Sequence, residues 1–484
     1  MMQTNLMRSC NILRRGGSSV LSLNVKGDIP ACLLGGGNRV FTVGSSIGSD
    51  PSMIAANDRC TLSTKNSYMS STIKTNLSIT REQKSILGHR NFHSTANARS
   101  ETSGMDDEYG EMTSDGHTYT YPKPFVLENG QILEQADLRY MTYGELNEAR
   151  DNVLVICHAL TGNASLHTWW GDMLGPGTAF DTNKYFVVCS NILGSCYGST
   201  GPSSIRPDGS GPYGIDFPDV SVQDTVRLQL HMLQDELNVN SVKCVIGGSF
   251  GGMQAVEYAA QAGYVKSDFA VDDESGRATA FVRSVMPIAC GTRHTAWQIG
   301  ISEVQRQAIY ADPKWNNGDI DWNDPPNKGL SVARQMGMIS YRTAQGYDQK
   351  FGRKVRPSND EEEEVAYGSK ASWQVKSYLE YQGLKFLSRF DPITYLKLTE
   401  QLDTFDVGRG RGGVKEALAN VKVPVKVLGI DSDILYPIHE QEELTSYFPN
   451  GELGVIRSDA GHDGFLLEQE QVARHISEFL SAHD

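Results

Sequence analysis

One nine-residue stretch constrains the fold of this 484-residue chain more than any other. It runs from Val245 to Met253 and reads Val-Ile-Gly-Gly-Ser-Phe-Gly-Gly-Met, with an apolar run before it and good helix-forming residues after it. Gly247 and Gly251 flank Ser249 because a sharp turn from a strand into a helix leaves no room for Cβ atoms beside its apex. The sequence therefore predicts that Ser249 lies at the apex of a nucleophile elbow.

An acid and a histidine follow in the order that such an elbow requires. Residues 423–430 form an apolar run typical of a late buried strand, and Asp431 and Asp433 come directly after it. His462 follows one more predicted strand, on a glycine-flanked loop. We assign Ser249 as the nucleophile, His462 as the base and Asp433 as the acid that orients the imidazole, with Asp431 as the alternative acid. The opposing interpretation is an α/β protein whose serine only caps a helix and whose histidine lies on the surface.

Strands and helices alternate from about Tyr121 onward. Residues 153–157 and 185–189 are continuous apolar runs, which are typical of strands buried on both faces of a parallel sheet. We therefore predict an α/β-hydrolase fold, with a mostly parallel sheet and helices on both faces. The hydrolase domain is expected to span residues 100–484, and a helical lid is expected as an insertion at about 295–415.

The loop after the first long apolar strand reads His-Ala-Leu-Thr-Gly over residues 158–162. In this fold such a loop supplies one backbone N–H of the oxyanion hole, and the residue after the nucleophile supplies the other. The backbone N–H groups of Leu160 and Phe250 are therefore the predicted donors. Each is expected to contribute about 3 kcal/mol to the stability of a tetrahedral intermediate.

Charge and cysteine usage exclude several classes of function. Residues 1–100 contain 12 Lys and Arg against 4 Asp and Glu, although the whole chain has a net charge of −14. The remainder is therefore strongly acidic, which argues against a nucleic-acid partner because phosphate binding requires a basic surface. The sequence contains no apolar run of about 18 residues that would predict a membrane span.

The eight cysteines include no Cys-x-x-Cys pair, so no metal site is predicted, and their usage is typical of a reducing compartment.

Residues 1–99 are predicted to be a transit peptide or disordered extension, not a folded domain. They are rich in Ser, Asn, Thr and Arg, and Leu6, Cys10 and Leu13 would share one face of a helix. Residues 90–95, Arg-Asn-Phe-His-Ser-Thr, resemble the R-x-F-x-x-S/T pattern of two-step mitochondrial presequence processing. These features favour import into the mitochondrial matrix. A plastid address, a cytoplasmic location and an extension without an import role are the alternatives.

The motifs together resemble those of the homoserine O-acetyltransferase family, the α/β-hydrolase acyltransferases of methionine biosynthesis. The resemblance runs from about Tyr121 to the C-terminus, some three-quarters of the chain. Besides the elbow and the His462 loop, it is carried by residues 158–162, 169–170, 175–177, 194–204, 329–334 and 405–413. The chain departs from the family pattern in its basic N-terminus, in an insertion near 264–283 and in an acidic run at 361–364.

The resemblance implies a specific reaction. The enzyme would transfer an acetyl group from acetyl-CoA to the side-chain hydroxyl of L-homoserine by a ping-pong Ser-His-Asp mechanism, with acetyl-CoA as a co-substrate and no cofactor. Arg334 falls on the family position that would bind the homoserine carboxylate, since a planar guanidinium grips a carboxylate through two hydrogen bonds. Asp463 falls on the position that would bind the amine. The resemblance also implies a homodimer.

The sequence leaves the acceptor and the donor open, because one methylene in a pocket changes affinity by only about 1–3 kcal/mol. A serine O-acetyltransferase or O-succinyltransferase of cysteine biosynthesis is the main alternative, and the mitochondrial pattern favours it. An esterase is a remoter alternative, since hydrolysis of a simple ester would not need the amino-acid contacts expected of Arg334 and Asp463.

Overall fold

The computed structural model describes residues 13–15, 18–20, 116–272, 275–355 and 373–483. The chain divides into two units, Met1–Arg99 and Ser100–Asp484. In the first unit, Leu13–Arg15 and Ser18–Val20 pair as antiparallel strands, whereas the sequence predicted a helical face through Leu13. The two residues between these strands in the sequence are Gly-Gly, and glycine is a poor helix former, which explains the difference. The predicted motifs at 90–95 and 361–364 lie outside the described residues.

The second unit is built on an eight-stranded sheet. Its strands are β1 His117–Thr120, β2 Asp137–Tyr143, β3 Val153–Cys157, β4 Phe186–Ser190, β5 Val242–Gly248, β6 Val285–Ile288, β7 Val425–Ile430 and β8 Gly451–Ile456. Their order across the sheet is β8-β7-β6-β5-β3-β4-β2-β1. Pairing is antiparallel between β1 and β2 and between β2 and β4, and all other neighbours are parallel. The predicted α/β-hydrolase fold, with its mostly parallel sheet, is confirmed.

Both faces of the sheet are covered, as the fully buried strand β3 illustrates. Val153, Val155 and Cys157 belong to one hydrophobic core, and Leu154 and Ile156 belong to a second core on the opposite face. This alternation follows from the two-residue period of a strand. Continuous apolar runs in the sequence therefore correspond to strands that contact helices on both sides.

Eleven α-helices lie within the described residues. They are α1 Val222–His231, α2 Phe250–Ala262, α3 Ala296–Tyr310, α4 Asn327–Ser340, α5 Ala344–Lys350, α6 Gln374–Phe386, α7 Pro392–Asp403, α8 Val414–Leu418, α9 Ile438–Tyr447, α10 Gly464–Leu467 and α11 Gln469–Ala482. Short helical turns lie at Leu166–Thr168, Gly171–Met173, Gly214–Asp216, Met232–Glu236, Asn316–Gly318 and Gly461–Asp463. Two further strand pairs join Phe125–Val126 to Ile132–Leu133 and Val271–Asp272 to Ala278–Thr279. In the part of the chain that the structure describes, no helix has the length and apolar character to cross a membrane.

Helices α3 to α7 all lie between β6 and β7, and we call them the helical insertion. Its two ends are fastened together, because the His294 N–H donates to the Phe405 carbonyl at 3.0 Å and the Val407 N–H donates to the Thr292 carbonyl at 3.1 Å. The insertion therefore leaves and rejoins the domain at one place, beside the carboxyl ends of β6 and β7.

Three strands bring the predicted site residues to one edge of the sheet. Ser249 directly follows β5, Asp433 lies three residues beyond β7, and His462 lies six residues beyond β8. All three strands are parallel, so their carboxyl ends share one edge, which is where open α/β sheets bind ligands.

Candidate active site

Ser249 occupies a sharp corner between β5 and α2. Its backbone has φ of 58° and ψ of −119°, a conformation that L-residues other than glycine rarely adopt. The corner is held by a hydrogen bond from the Ser249 N–H to the Ile288 carbonyl on β6, at 2.8 Å. Such a conformation costs about 1–3 kcal/mol and persists only where surrounding contacts enforce it.

The glycines around Ser249 are required by close backbone contacts. A Cβ atom on Gly251 would overlap the carbonyl of Cys157 at the end of β3, and a Cβ atom on Gly247 would overlap the backbone of Gly251. Strand β3 and the start of α2 can therefore approach each other only while these two positions carry no side chain. This approach brings the loop after β3 next to Ser249.

Ser249, His462 and Asp433 form a continuous hydrogen-bonded row. The distance from His462 Nε2 to Ser249 Oγ is 2.7 Å, and that from His462 Nδ1 to Asp433 Oδ2 is also 2.7 Å. Asp433 Oδ1 accepts hydrogen bonds from the backbone N–H groups of Leu435 and Tyr436, at 2.8 and 2.9 Å. These contacts fix the carboxylate, so that Nδ1 donates to it and Nε2 is left to accept the serine proton.

The other carboxylate considered for the acid role points elsewhere. Asp431 Oδ2 pairs with Arg457 at 3.1 Å, and its Oδ1 accepts from the Ser458 N–H at 3.1 Å. Of the two candidates, Asp433 is the one that contacts His462.

The charge of the imidazole depends on opposing influences. Burial lowers the pKa of His462, but the charge of Asp433, its hydrogen bond and the nearby charge of Asp463 outweigh burial and raise the pKa above its ordinary value of 6.5. A base with a raised pKa accepts a proton from an attacking hydroxyl more readily.

One predicted oxyanion donor follows Ser249 directly in the sequence, and the other lines the same cavity as Ser249. Leu160 is in the turn after β3 and lines the same cavity as Ser249. Phe250 is the first residue of α2, where backbone N–H groups have no acceptor within the helix. Both positions suit donors aimed at a developing negative charge.

Arg334 lies in the cavity that opens beside Ser249 and His462. It is on α4, is only 4% exposed, and its guanidinium lies over the ring of Phe386 at 5.0 Å. A buried guanidinium that lines a cavity is a strong site for a carboxylate, because the surrounding low dielectric strengthens the attraction.

Asp463 lines the same cavity and forms a buried ion pair. Its Oδ2 lies 2.7 Å from Nε of Arg342, and both side chains are less than a tenth exposed. Burial raises the pKa of the Asp463 carboxyl, and it outweighs the opposing charges of Arg342, His462 and Arg334. A carboxylate has about four lone-pair sites and can therefore accept a ligand amine in addition to Arg342.

Helix α3 presents a polar face to the cavity. Gln298, Ser302 and Gln305 lie four and three residues apart, so they share one face, and all three are buried. Gln298 Nε2 donates to the Leu435 carbonyl at 2.8 Å, and Gln305 Oε1 accepts from the Tyr395 hydroxyl at 2.5 Å. The helical insertion thus forms part of the cavity wall and lines it with oriented polar groups.

The sequence was compared with known proteins. The model of a family described as alpha/beta hydrolase fold matches residues 152–469. A homoserine O-acetyltransferase from Chlorobium chlorochromatii is 42% identical over 363 residues, which cover 75% of this chain and 94% of that protein. The chain belongs to the homoserine O-acetyltransferase family.

Solved structures agree with this homoserine O-acetyltransferase assignment at the level of the fold. The crystal structure of esterase E22 has a TM-score of 0.64 and 23% identity, and covers 76% of this chain and 99% of its own. Homoserine O-acetyltransferase from Bacillus anthracis has a TM-score of 0.63 and 24% identity, and covers 76% and 98%. An esterase and an acyltransferase thus share this architecture, and the fold alone does not separate the two reactions.

Sequence reasoning missed three residues of this homoserine O-acetyltransferase family member that contact His462 or its neighbour Asp463. The rings of Tyr436 and Tyr341 lie 5.2 and 6.1 Å from the imidazole, and Arg342 pairs with Asp463. Arg342 follows Arg334 by eight residues, about two helical turns, and this spacing is the one sequence signal that could have indicated it. Within the described residues, no group of His, Cys, Asp and Glu side chains could hold a metal ion.

Proposed function

We propose that this protein transfers an acetyl group from acetyl-CoA to the side-chain hydroxyl of L-homoserine. The observation that carries the proposal is one cavity that contains the hydrogen-bonded Ser249 and His462 together with buried Arg334 and Asp463. Homoserine is a zwitterion that carries a hydroxyl, so it needs a cation, an anion and a base in one site. The names of the relatives support the same substrate.

In the first half-reaction, Ser249 attacks the thioester carbonyl of acetyl-CoA. His462 Nε2 takes the serine proton, and Asp433 stabilises the imidazolium that forms. The backbone N–H groups of Leu160 and Phe250 receive the developing oxyanion. The protonated imidazole then gives its proton to the leaving CoA thiolate, and an acetyl-serine remains.

In the second half-reaction, homoserine enters the space that CoA has left. Arg334 binds its carboxylate and Asp463 its ammonium group, which directs the hydroxyl toward His462. The imidazole removes the hydroxyl proton, and the oxygen attacks the acetyl-serine. As the bond between the acetyl group and the Ser249 oxygen breaks, the imidazolium returns its proton to that oxygen. O-acetyl-L-homoserine then leaves for methionine biosynthesis, and Ser249 is restored. Two half-reactions through a covalent intermediate give ping-pong kinetics.

Release of free thiol from acetyl-CoA tests this function directly. Homoserine, serine and no acceptor would be offered separately to the full chain, with succinyl-CoA in parallel and the Ser249→Ala variant as the blank. Fast release that needs homoserine and acetyl-CoA supports the proposal. Preference for serine or for succinyl-CoA would replace the acceptor or the donor. Equal release without an acceptor would make the protein a hydrolase.

We further propose that residues 1–99 direct the enzyme to the mitochondrial matrix, on the basis of their basic, acid-poor composition. A fusion of residues 1–99 to a fluorescent protein should reach mitochondria, and the same fusion with Arg8, Arg14 and Arg15 changed to Gln should not. Plastid or cytoplasmic fluorescence of the first fusion would contradict this location.

A further inference from the structure

Arg389 connects the helical insertion to the loop after β3. It lies between α6 and α7, and its Nη1 donates to the Thr161 carbonyl at 2.7 Å and to the Tyr197 hydroxyl at 2.6 Å. Its guanidinium also lies over the Phe386 ring at 4.9 Å. The contacted carbonyl is one residue from Leu160, the predicted oxyanion donor, so a charged group of the insertion is fixed beside the oxyanion loop.

The Thr161 carbonyl leads to the Leu160 N–H through two peptide groups. Thr161 C=O shares a peptide with the Gly162 N–H, which donates to the Ala159 carbonyl at 2.9 Å. Ala159 C=O in turn shares a peptide with the Leu160 N–H. A hydrogen bond at the carbonyl of a peptide polarises its N–H, so each link strengthens the next. The positive charge of Arg389 therefore stands at the start of a row that ends at Leu160.

His158 also contacts the Ala159 carbonyl. Its Nδ1 lies 2.8 Å from the Ala159 oxygen, and since a carbonyl only accepts, Nδ1 carries the proton. Burial lowers the pKa of this imidazole to about 4, in spite of the opposing hydrogen bond to Ala159, so the ring is neutral. Two donors thus fix the Ala159–Leu160 peptide, and one of them is tied to the Arg389 charge.

We propose that Arg389 is a positioning residue that orients and polarises the Leu160 N–H for oxyanion stabilisation. Arg389 touches no reacting atom; it acts through Thr161, Gly162 and Ala159. The inference rests on one part of the proposed function, the acylation of Ser249. It does not depend on which acyl donor and acceptor the enzyme uses. It also means that the oxyanion hole is complete only while the helical insertion is seated.

The test uses a donor that needs neither CoA nor homoserine. The rate of the p-nitrophenolate burst from p-nitrophenyl acetate reports acylation of Ser249, and it would be measured for Arg389→Met, Arg389→Lys and the matched control Arg227→Met. Arg227 also donates to a backbone carbonyl, that of Val126, and lies over a ring, that of Phe125, at 4.6 Å. It pairs with Asp224 as well, and none of these three contacts lies in the oxyanion loop.

We expect Arg389→Met to slow the burst by about 10- to 100-fold, less than the loss of a whole oxyanion donor. Arg389→Lys, which keeps the charge, should recover part of that loss, and Arg227→Met should match the wild type. The inhibition constant of methylboronic acid, which forms a tetrahedral adduct on serine, should rise in the same order. A purely structural defect would lower the melting temperature, and the burst rate and the methylboronic acid inhibition constant would not change together across the variants.

Two results would overturn the inference. One is a burst in Arg389→Met within threefold of the wild-type rate. The other is a slower burst with an unchanged inhibition constant for methylboronic acid. A wild-type protein that bursts with p-nitrophenyl acetate but releases no thiol from acetyl-CoA would refute the proposed function, and the Arg389 comparison would still be decided.

Discussion

The Asp463 carboxylate, which lines the cavity beside Ser249, meets the Arg342 guanidinium at 2.7 Å, and both residues are almost completely buried. Asp463 is the direct neighbour of His462 in the sequence, and Arg342 follows shortly after the end of α4. The pair therefore connects the histidine loop to the helical insertion. It also supplies the countercharge that a buried carboxylate needs.

Removal of Arg342 should destabilise the domain. The variant Arg342→Met leaves Asp463 buried without its partner, and we expect the free energy of unfolding to fall by about 3–5 kcal/mol. Urea denaturation measures this change. The double variant Arg342→Met with Asp463→Asn should regain part of the loss because no charge remains unpaired. If Arg342→Met were as stable as the wild type, the ion pair would make no such contribution to the free energy of unfolding.

Asp433→Asn should abolish most of the activity without unfolding the protein. An asparagine keeps the shape but stabilises the wrong imidazole tautomer, and we expect kcat to fall by about 10⁴-fold. Asp431→Asn is the matched control, since Asp431 pairs with Arg457 and not with His462. The assignment would be wrong if the Asp431 variant lost more activity than the Asp433 variant.

The acid limb of the pH profile should lie above pH 6.5. His462 acts as a base only when neutral, and its pKa is raised by Asp433 and Asp463 against the effect of burial. Therefore kcat/KM for acetyl-CoA should decline as the pH falls through this raised pKa. Asp463→Asn removes one of the raising charges and should move the limb to lower pH, whereas Asp459→Asn should leave it in place. An unmoved limb in Asp463→Asn would contradict the assigned influence.

The elbow should tolerate no methyl group at Gly251. Gly251→Ala would place a Cβ against the Cys157 carbonyl, and we expect a loss of about 3 kcal/mol or more in the free energy of unfolding. Gly300→Ala is the control: this helical glycine has open space around it, and alanine should stabilise α3 by about 0.5–1 kcal/mol. Thermal unfolding of both variants measures the contrast. Equal melting temperatures would show that β3 and α2 can move apart.

We predict that apolar side chains exposed on the helical insertion form the interface of the homodimer that the family resemblance implies. Val332 and Ile339 on α4 and Leu384 on α6 are 46%, 54% and 65% exposed. Light scattering should give twice the chain mass, and Ile339→Lys with Leu384→Glu should give a monomer. Val265→Glu, at an exposed valine outside the insertion, should remain a dimer. A wild-type monomer would refute the dimer.

The sequence was most informative where local backbone geometry restricts residue type. The corner at Ser249 needs glycines at two fixed spacings, so it can be read from nine residues, and the order of acid and histidine follows from strand order. Boundaries were less accurate: the apolar run at 185–189 corresponds to the strand Phe186–Ser190, and the run at 423–430 corresponds to Val425–Ile430. Strand and helix ends are decided by tertiary hydrogen bonds, which propensity does not contain.

Long-range partners could not be predicted from the sequence. Arg342 pairs with Asp463, which is 121 positions away in the sequence, and Arg389 donates to Thr161, which is 228 positions away. No rule of sequence spacing connects such pairs. The glycine-rich run at 408–413 shows the same limit. Its Arg411 forms a bidentate ion pair with Glu257, which is fully buried on α2. The run therefore stabilises the helix that follows Ser249.

At Ser249, the requirement for a nucleophilic hydroxyl conflicts with the requirement for an unstrained backbone. Glycine would adopt φ of 58° without steric strain, whereas serine loses about 1 kcal/mol or more by remaining there. Selection for a durable fold alone would thus favour glycine at the apex, and only the need for a hydroxyl opposes it. In a descendant of this chain that no longer needed catalytic activity, we would expect Ser249 to be substituted early. That substitution would raise stability while it abolished activity.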